Sequence, residues 1–168
     1  IAQETPAMDT ATDAALLMDR HAYQVSHLIA GFTVPLLRTL YHQFDGDMAQ
    51  VIVLGEISLR NVSRFFDKGG TDTPEKLLDD RWRRDQLMQS CNALSISEAT
   101  GIPRETVRRK VKLLIDKGWL YRDAHQRLMV SPRGGAGFAR RNAQATHDIL
   151  ELADRLSALL RPMDTEQD

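Results

Sequence analysis

The sequence predicts a mainly α protein: an N-terminal helical bundle, a compact pair of helices joined by a tight turn and followed by a small β-hairpin, and a long C-terminal helix. Three observations carry this. Apolar residues recur at steps of three and four through the N-terminal part, the spacing of a helix face. Trp119-Leu120-Tyr121-Arg122 and Arg127-Leu128-Met129-Val130 are short runs of strand formers separated by Asp123-Ala124-His125-Gln126, which reads as a hairpin. Phe138, Asn142, Ala145, Ile149, Leu152, Leu156 and Leu159 alternate steps of four and three, the seam of helices that pack along their length.

In chain order, residues 1–12 are small and polar without periodicity and are expected to form a disordered tail. Residues 13–66 form the N-terminal helical region, assigned to dimerisation or effector binding. Leu17, His21, Val25, Leu28 and Phe32 mark its first helix. Gly31 and Pro35 interrupt that pattern, with Thr33 able to cap a second segment, so a kink or a short break is expected there. After the turn Asp45-Gly46-Asp47, the next helix is apolar nearly all round, from Met48 to Phe65 and Phe66, and should lie in the core or against a partner subunit. Residues 67–73, with Lys68-Gly69-Gly70, read as a linker, and Pro74 opens a helix carrying Arg81-Trp82-Arg83-Arg84. The compact unit spans 74–133. A hinge at Gly134-Gly135 leads to the C-terminal helix, 134–161, starting near Ala136 and assigned to dimerisation, and 162–168 is a polar tail.

The middle of the chain is the most informative. Asn92 to Gly101 supplies an N-cap residue, a helix of little more than one turn and a glycine stop. Pro103 suits the start of the next helix, Gly118 its end, and Val107, Val111, Leu114 and Ile115 form one apolar stripe. Two helices joined by a glycine turn make a helix-turn-helix, and the hairpin adds a wing. Arg104, Glu105, Arg108, Arg109 and Lys112 face away from the stripe. Net charge is −1 over 168 residues, yet between Gly101 and Arg133 nine Arg and Lys face only Glu105, Asp116 and Asp123. Positive charge is thus concentrated where a phosphate backbone would lie, although most charge runs are merely solvated faces.

Residues 91 to 131 resemble a bacterial winged helix-turn-helix domain. Within them Pro103-Arg104-Glu105-Thr106-Val107-Arg108-Arg109 is similar to the recognition helix of the cyclic-AMP receptor protein family, whose pattern is Arg-Glu-Thr-Val followed by an arginine two positions later. The resemblance implies that Arg104, Glu105 and Arg109 reach base edges. No glycine-rich strand repeat precedes the motif, so it implies nothing about cyclic AMP. Helices first, winged unit next and a long helix last is an order that resembles the MarR-type repressors. The chain is therefore expected to be a homodimeric transcriptional regulator specific for double-stranded DNA sequences, with helix 103–117 in the major groove. The wing, 119–131, would meet backbone or minor groove. Thr106, Arg108, Lys112, Arg122, His125, Gln126 and Arg127 are the expected contacts there. Two alternatives stay open: a winged-helix scaffold for other proteins, and a repressor gated by a small-molecule effector.

Signals for other chemistry are weak. The five histidines have no metal-ligand spacing, no nucleophile elbow or P-loop occurs, and neither an enzyme nor a cofactor or metal is expected. Cys91 reads as a small buried residue, and a single cysteine suits a reducing compartment. With no basic-then-apolar leader and no long apolar run, a cytoplasmic, nucleoid-associated location without membrane contact is expected.

Overall fold

The computed structural model describes residues 19–67 and 91–161, mainly helical with a small two-stranded antiparallel sheet. The tails, the linker glycines, the Pro74 helix and Arg81 to Arg84 lie outside these residues, as do the side chains of Phe65, Phe66 and Phe138. The chain divides into two compact units, Thr39–Ala143 and Ile1–Arg38 with Gln144–Asp168.

Of the kink or short break expected at Gly31 and Pro35, the break is absent: helix α1, Ala22–Gln43, runs through both residues. A turn with Asp45 and Gly46 both at positive φ follows, closed by Gly46 N–H donating to Tyr41 O at 2.8 Å. Asp47 then caps helix α2, Met48–Asp67, its Oδ1 accepting from Gln50 N–H at 3.0 Å.

In the unit Thr39–Ala143, α2 is the central element, and it is less evenly buried than its composition predicts. Gln50, Val53, Leu54, Ile57 and Asn61 are buried along one face, while Ile52 and Leu59 are exposed on the other. That buried face meets helix α3, Ala93–Thr100, helix α4, Arg104–Asp116, and strand β2, Leu128–Val130. The local signals of α3 and α4 are all used. Asn92 and Ser95 form a reciprocal capping box, Gly101 turns the chain at φ 70°, and Gly118 at φ 71° ends α4. Ile96, Val107, Val111 and Leu114 close the core with Cys91, Leu120, Leu128 and Val130. Strand β1, Leu120–Arg122, pairs with β2 in the register Leu120↔Val130. The other edge of β2 is covered: Cys91 O accepts from Leu128 N–H at 3.0 Å, and the Asn61 amide bridges Leu128 O and Val130 N–H at 3.2 and 2.9 Å.

Burial pushes the Cys91 thiol up to about 11. Thiolate is the reactive form, so at pH 8 an aromatic disulfide reagent should label Cys91 only in denaturant. Rapid labelling of native protein, followed by absorbance, would show that this core is open.

Helix α5, Pro132–Leu159, starts four residues before the expected Ala136. Ser131 caps it, with Oγ accepting from Gly134 N–H at 3.0 Å, and proline at the first helical position lacks only an N–H that would have had no partner. Gly134 and Gly135 therefore belong to the first turn of a helix and are not a hinge. Gly134 is buried because a Cβ there would lie 2.5 Å from Trp119 O.

In the other unit, α1 up to Arg38 and α5 from Gln144 form a two-helix layer in which no residue of α1 is buried. Val25, Leu28, Phe32 and Leu36 are half-buried, as are Ala145, Leu152, Leu156 and Leu159 of the predicted seam. Asn142, just outside this unit, is exposed. At about 100° per residue, Ser26, Ile29, Ala30, Thr33 and Leu37 share one flank of α1. Thr146, Ile149, Leu150, Ala153 and Ser157 share one flank of α5. All but Thr33 are exposed, and none is charged. The opposite side of the layer holds an open cavity of about 310 Å³ lined by His27, Gly31, Pro35, Asp148, Glu151 and Arg155.

Candidate nucleic-acid interface

Helix α4 presents two different faces because its apolar residues fall on one stripe. Val107, Val111 and Leu114 are at most 1% exposed. Arg104, Glu105, Arg108, Arg109 and Lys112 are all exposed. Arg108 Nη1 lies 3.1 Å from Glu105 Oε1, a pair open to water on both sides and therefore weak. Arg104, Arg109 and Lys112 have no ion pair among the described residues. The face thus keeps three exposed cations, with Lys117 exposed just beyond the helix end.

Two residues counted in the basic run or in the contact set sit elsewhere. Lys110 is turned back to Asp47, Nζ to Oδ2 2.5 Å, with only 13% of its side chain exposed. Thr106 is half-buried, unlike the five exposed residues of that face. Leu113, which sequence reading did not single out, is 40% exposed on the flank of this face. Its period placed it beside the core stripe and gave no sign that it would face water.

The hairpin loop is organised by one carboxylate. Asp123 Oδ1 accepts from His125 N–H and Arg127 N–H, both at 2.9 Å, and Oδ2 pairs with Arg127 Nε at 2.5 Å. Arg127, expected to reach outward, is therefore held half-buried against its own turn: a loop this short places the two side chains on the same side. Arg122 is exposed, with Nη1 donating to Gln126 O at 2.9 Å. His125 and Gln126 occupy the exposed tip, Gln126 at φ 60°.

Burial raises the Asp123 carboxyl, but the bonds from Arg127 and His125 outweigh it and hold the group below its ordinary 3.8. A depressed carboxyl stabilises the fold above its unfolded value and loses that contribution as pH falls through the folded one. Urea melts at pH 7 and pH 3 should therefore show the gap between the native protein and Asp123→Asn shrinking on acidification. A gap that widens would show that the loop bonds are not what holds the carboxyl down.

Among the described residues, no group of three or more His, Cys, Asp or Glu is placed to hold a metal, and no helix is long and apolar enough to cross a membrane. No protein-family model matches the chain, and neither a curated protein nor a solved structure matches it significantly.

Proposed function

We propose that this chain is a sequence-specific regulator of transcription that binds double-stranded DNA as a homodimer, with α3 and α4 as a helix-turn-helix and the β-hairpin as its wing. The observation that carries this reading is the outer face of α4, where Arg104, Arg109 and Lys112 are exposed with no ion pair among the described residues while the reverse side is packed into the core. A helix fits the major groove, and two of them related by a twofold axis read half-sites about 10 bp apart or a multiple of that.

Within this reading Arg104 or Arg109 pairs with guanine O6 and N7, and Glu105 accepts from cytosine N4. The exposed Glu105–Arg108 pair opens at little cost. Arg108, Lys112 and Lys117 lie against phosphates, and Arg122, His125 and Gln126 against backbone or minor groove. The uncharged flanks of α1 and α5 support the homodimer, because a face without charge meets its own copy without like-charge conflict. It extends on the order of 18 Å along each helix.

Selection of bound duplexes from a random pool tests the proposal. A recurring inverted repeat is expected. With the selected site, Arg109→Ala should lose about 1–3 kcal/mol of discrimination at one base position, whereas Lys112→Ala should weaken every sequence alike and lower the salt slope by about 0.9. If no duplex is enriched and binding is lost at moderate salt, the protein-scaffold reading replaces this one. A monomer in sedimentation equilibrium would remove the dimer.

A further inference from the structure

The carboxylate of Asp47 is pinned. Its Oδ1 accepts from Gln50 N–H as the cap of α2, and its Oδ2 holds Lys110 Nζ at 2.5 Å, with the two side chains 25% and 13% exposed. The residue before Lys110 in α4 is Arg109, which is exposed, and its charge reaches the same carboxylate. One anion fixed by a helix cap therefore stands within range of two neighbouring cations, of which one is bound to it and the other is turned out.

We propose that Lys110 is a positioning residue that occupies Asp47 and thereby leaves Arg109 available to DNA. This rests on the DNA-binding reading and adds a device to it. The cap prevents the carboxylate from moving away, and a partly buried carboxylate that loses its counter-ion recruits another. Arg109 is the adjacent candidate on the same helix, with a long side chain. A guanidinium also matches a carboxylate better than an ammonium does, since its fork donates two parallel hydrogen bonds. Without Lys110, Asp47 and guanine compete for one side chain.

Four proteins test this: the native chain, Lys110→Met, Asp47→Asn and the double variant, each measured against the duplex the native chain selects and its single-base variants. Asparagine caps a helix about as well as aspartate, so Asp47→Asn keeps α2 anchored. Lys110→Met is expected to bind about tenfold more weakly and to lose discrimination at the base position that Arg109→Ala relaxes. Asp47→Asn should stay within about threefold of the native protein, and the double variant should recover both affinity and discrimination, as expected when an unpaired anion is the cause. A double variant as weak as Lys110→Met, or a Lys110→Met that still discriminates, overturns the proposal.

The free protein gives a readout that does not depend on DNA. The Nε–H resonance of Arg109 should shift and exchange more slowly in Lys110→Met, and revert in the double variant. An unchanged resonance in Lys110→Met overturns the proposal whatever DNA binding does. If that resonance moves and reverts but the native chain selects no duplex, the exchange of partners stands and the DNA-binding reading fails.

Discussion

Asn61→Ala is expected to destabilise the protein by about 2–4 kcal/mol, because it leaves the buried Val130 N–H without its acceptor and leaves Leu128 O with only the weak Cys91 thiol donor. Asn61 is fully buried in the middle of α2, and its amide supplies a donor to Leu128 O and an acceptor to Val130 N–H. It thus stands in for a third strand along the edge of β2 that β1 does not cover. Alanine removes both bonds and leaves a cavity where the amide stood. The loss is a large fraction of the roughly 5–15 kcal/mol that holds a typical domain together. Urea unfolding measures it, and Asn61→Asp separates the two bonds. Aspartate keeps an acceptor for Val130 N–H but points a carboxylate at Leu128 O, so it should be no better than alanine at neutral pH. A change below about 1 kcal/mol for Asn61→Ala would mean that the strand edge is satisfied without the amide.

How far such features show in a sequence depends on the span of the interaction. The α3-turn-α4 unit was legible because each signal acts within a few residues: Asn92 with Ser95, glycine at 101 and 118, and a stripe at steps of three and four. The outward set of Glu105, Arg108, Arg109 and Lys112 was legible for the same reason, since the stripe fixes the opposite face, whereas Arg104 is exposed because it stands at the helix start. Asn61 and Lys110 were not. Their partners lie 67, 69 and 63 positions away, and on a helix wheel an asparagine among apolar residues or a lysine in a basic run looks like any other polar residue. Arg127 was expected to reach outward because strand alternation gives no sign of a partner, whereas the short loop brings the Asp123 carboxylate against it. The start of α5 was misplaced because two consecutive glycines outweighed Ser131-Pro132, a local start signal present in the sequence.

Glycine to alanine at two positions of the same compact unit should have opposite signs. Gly55, inside α2, has nothing within 4 Å of where a Cβ would stand, so Gly55→Ala should stabilise by about 0.5–1 kcal/mol through helix propensity alone. Gly134 lies in the first turn of α5, where a Cβ would fall 2.5 Å from Trp119 O and 3.2 Å from Val130 Cγ1. The first of these is backbone, and it is already committed: Trp119 O accepts from Ser131 N–H at 2.9 Å. Trp119 in turn packs edge to face on Phe44, their ring centroids 5.2 Å apart, so the carbonyl cannot retreat without disturbing the core. Gly134→Ala should therefore cost about 2–3 kcal/mol, the scale of overpacking a filled site. Because both residues lie within Thr39–Ala143, one denaturation experiment reads both changes against the same transition. If Gly134→Ala also stabilised, the approach of α5 to the end of α4 would be looser than its geometry requires, and the hinge expected at Gly134-Gly135 would regain its place.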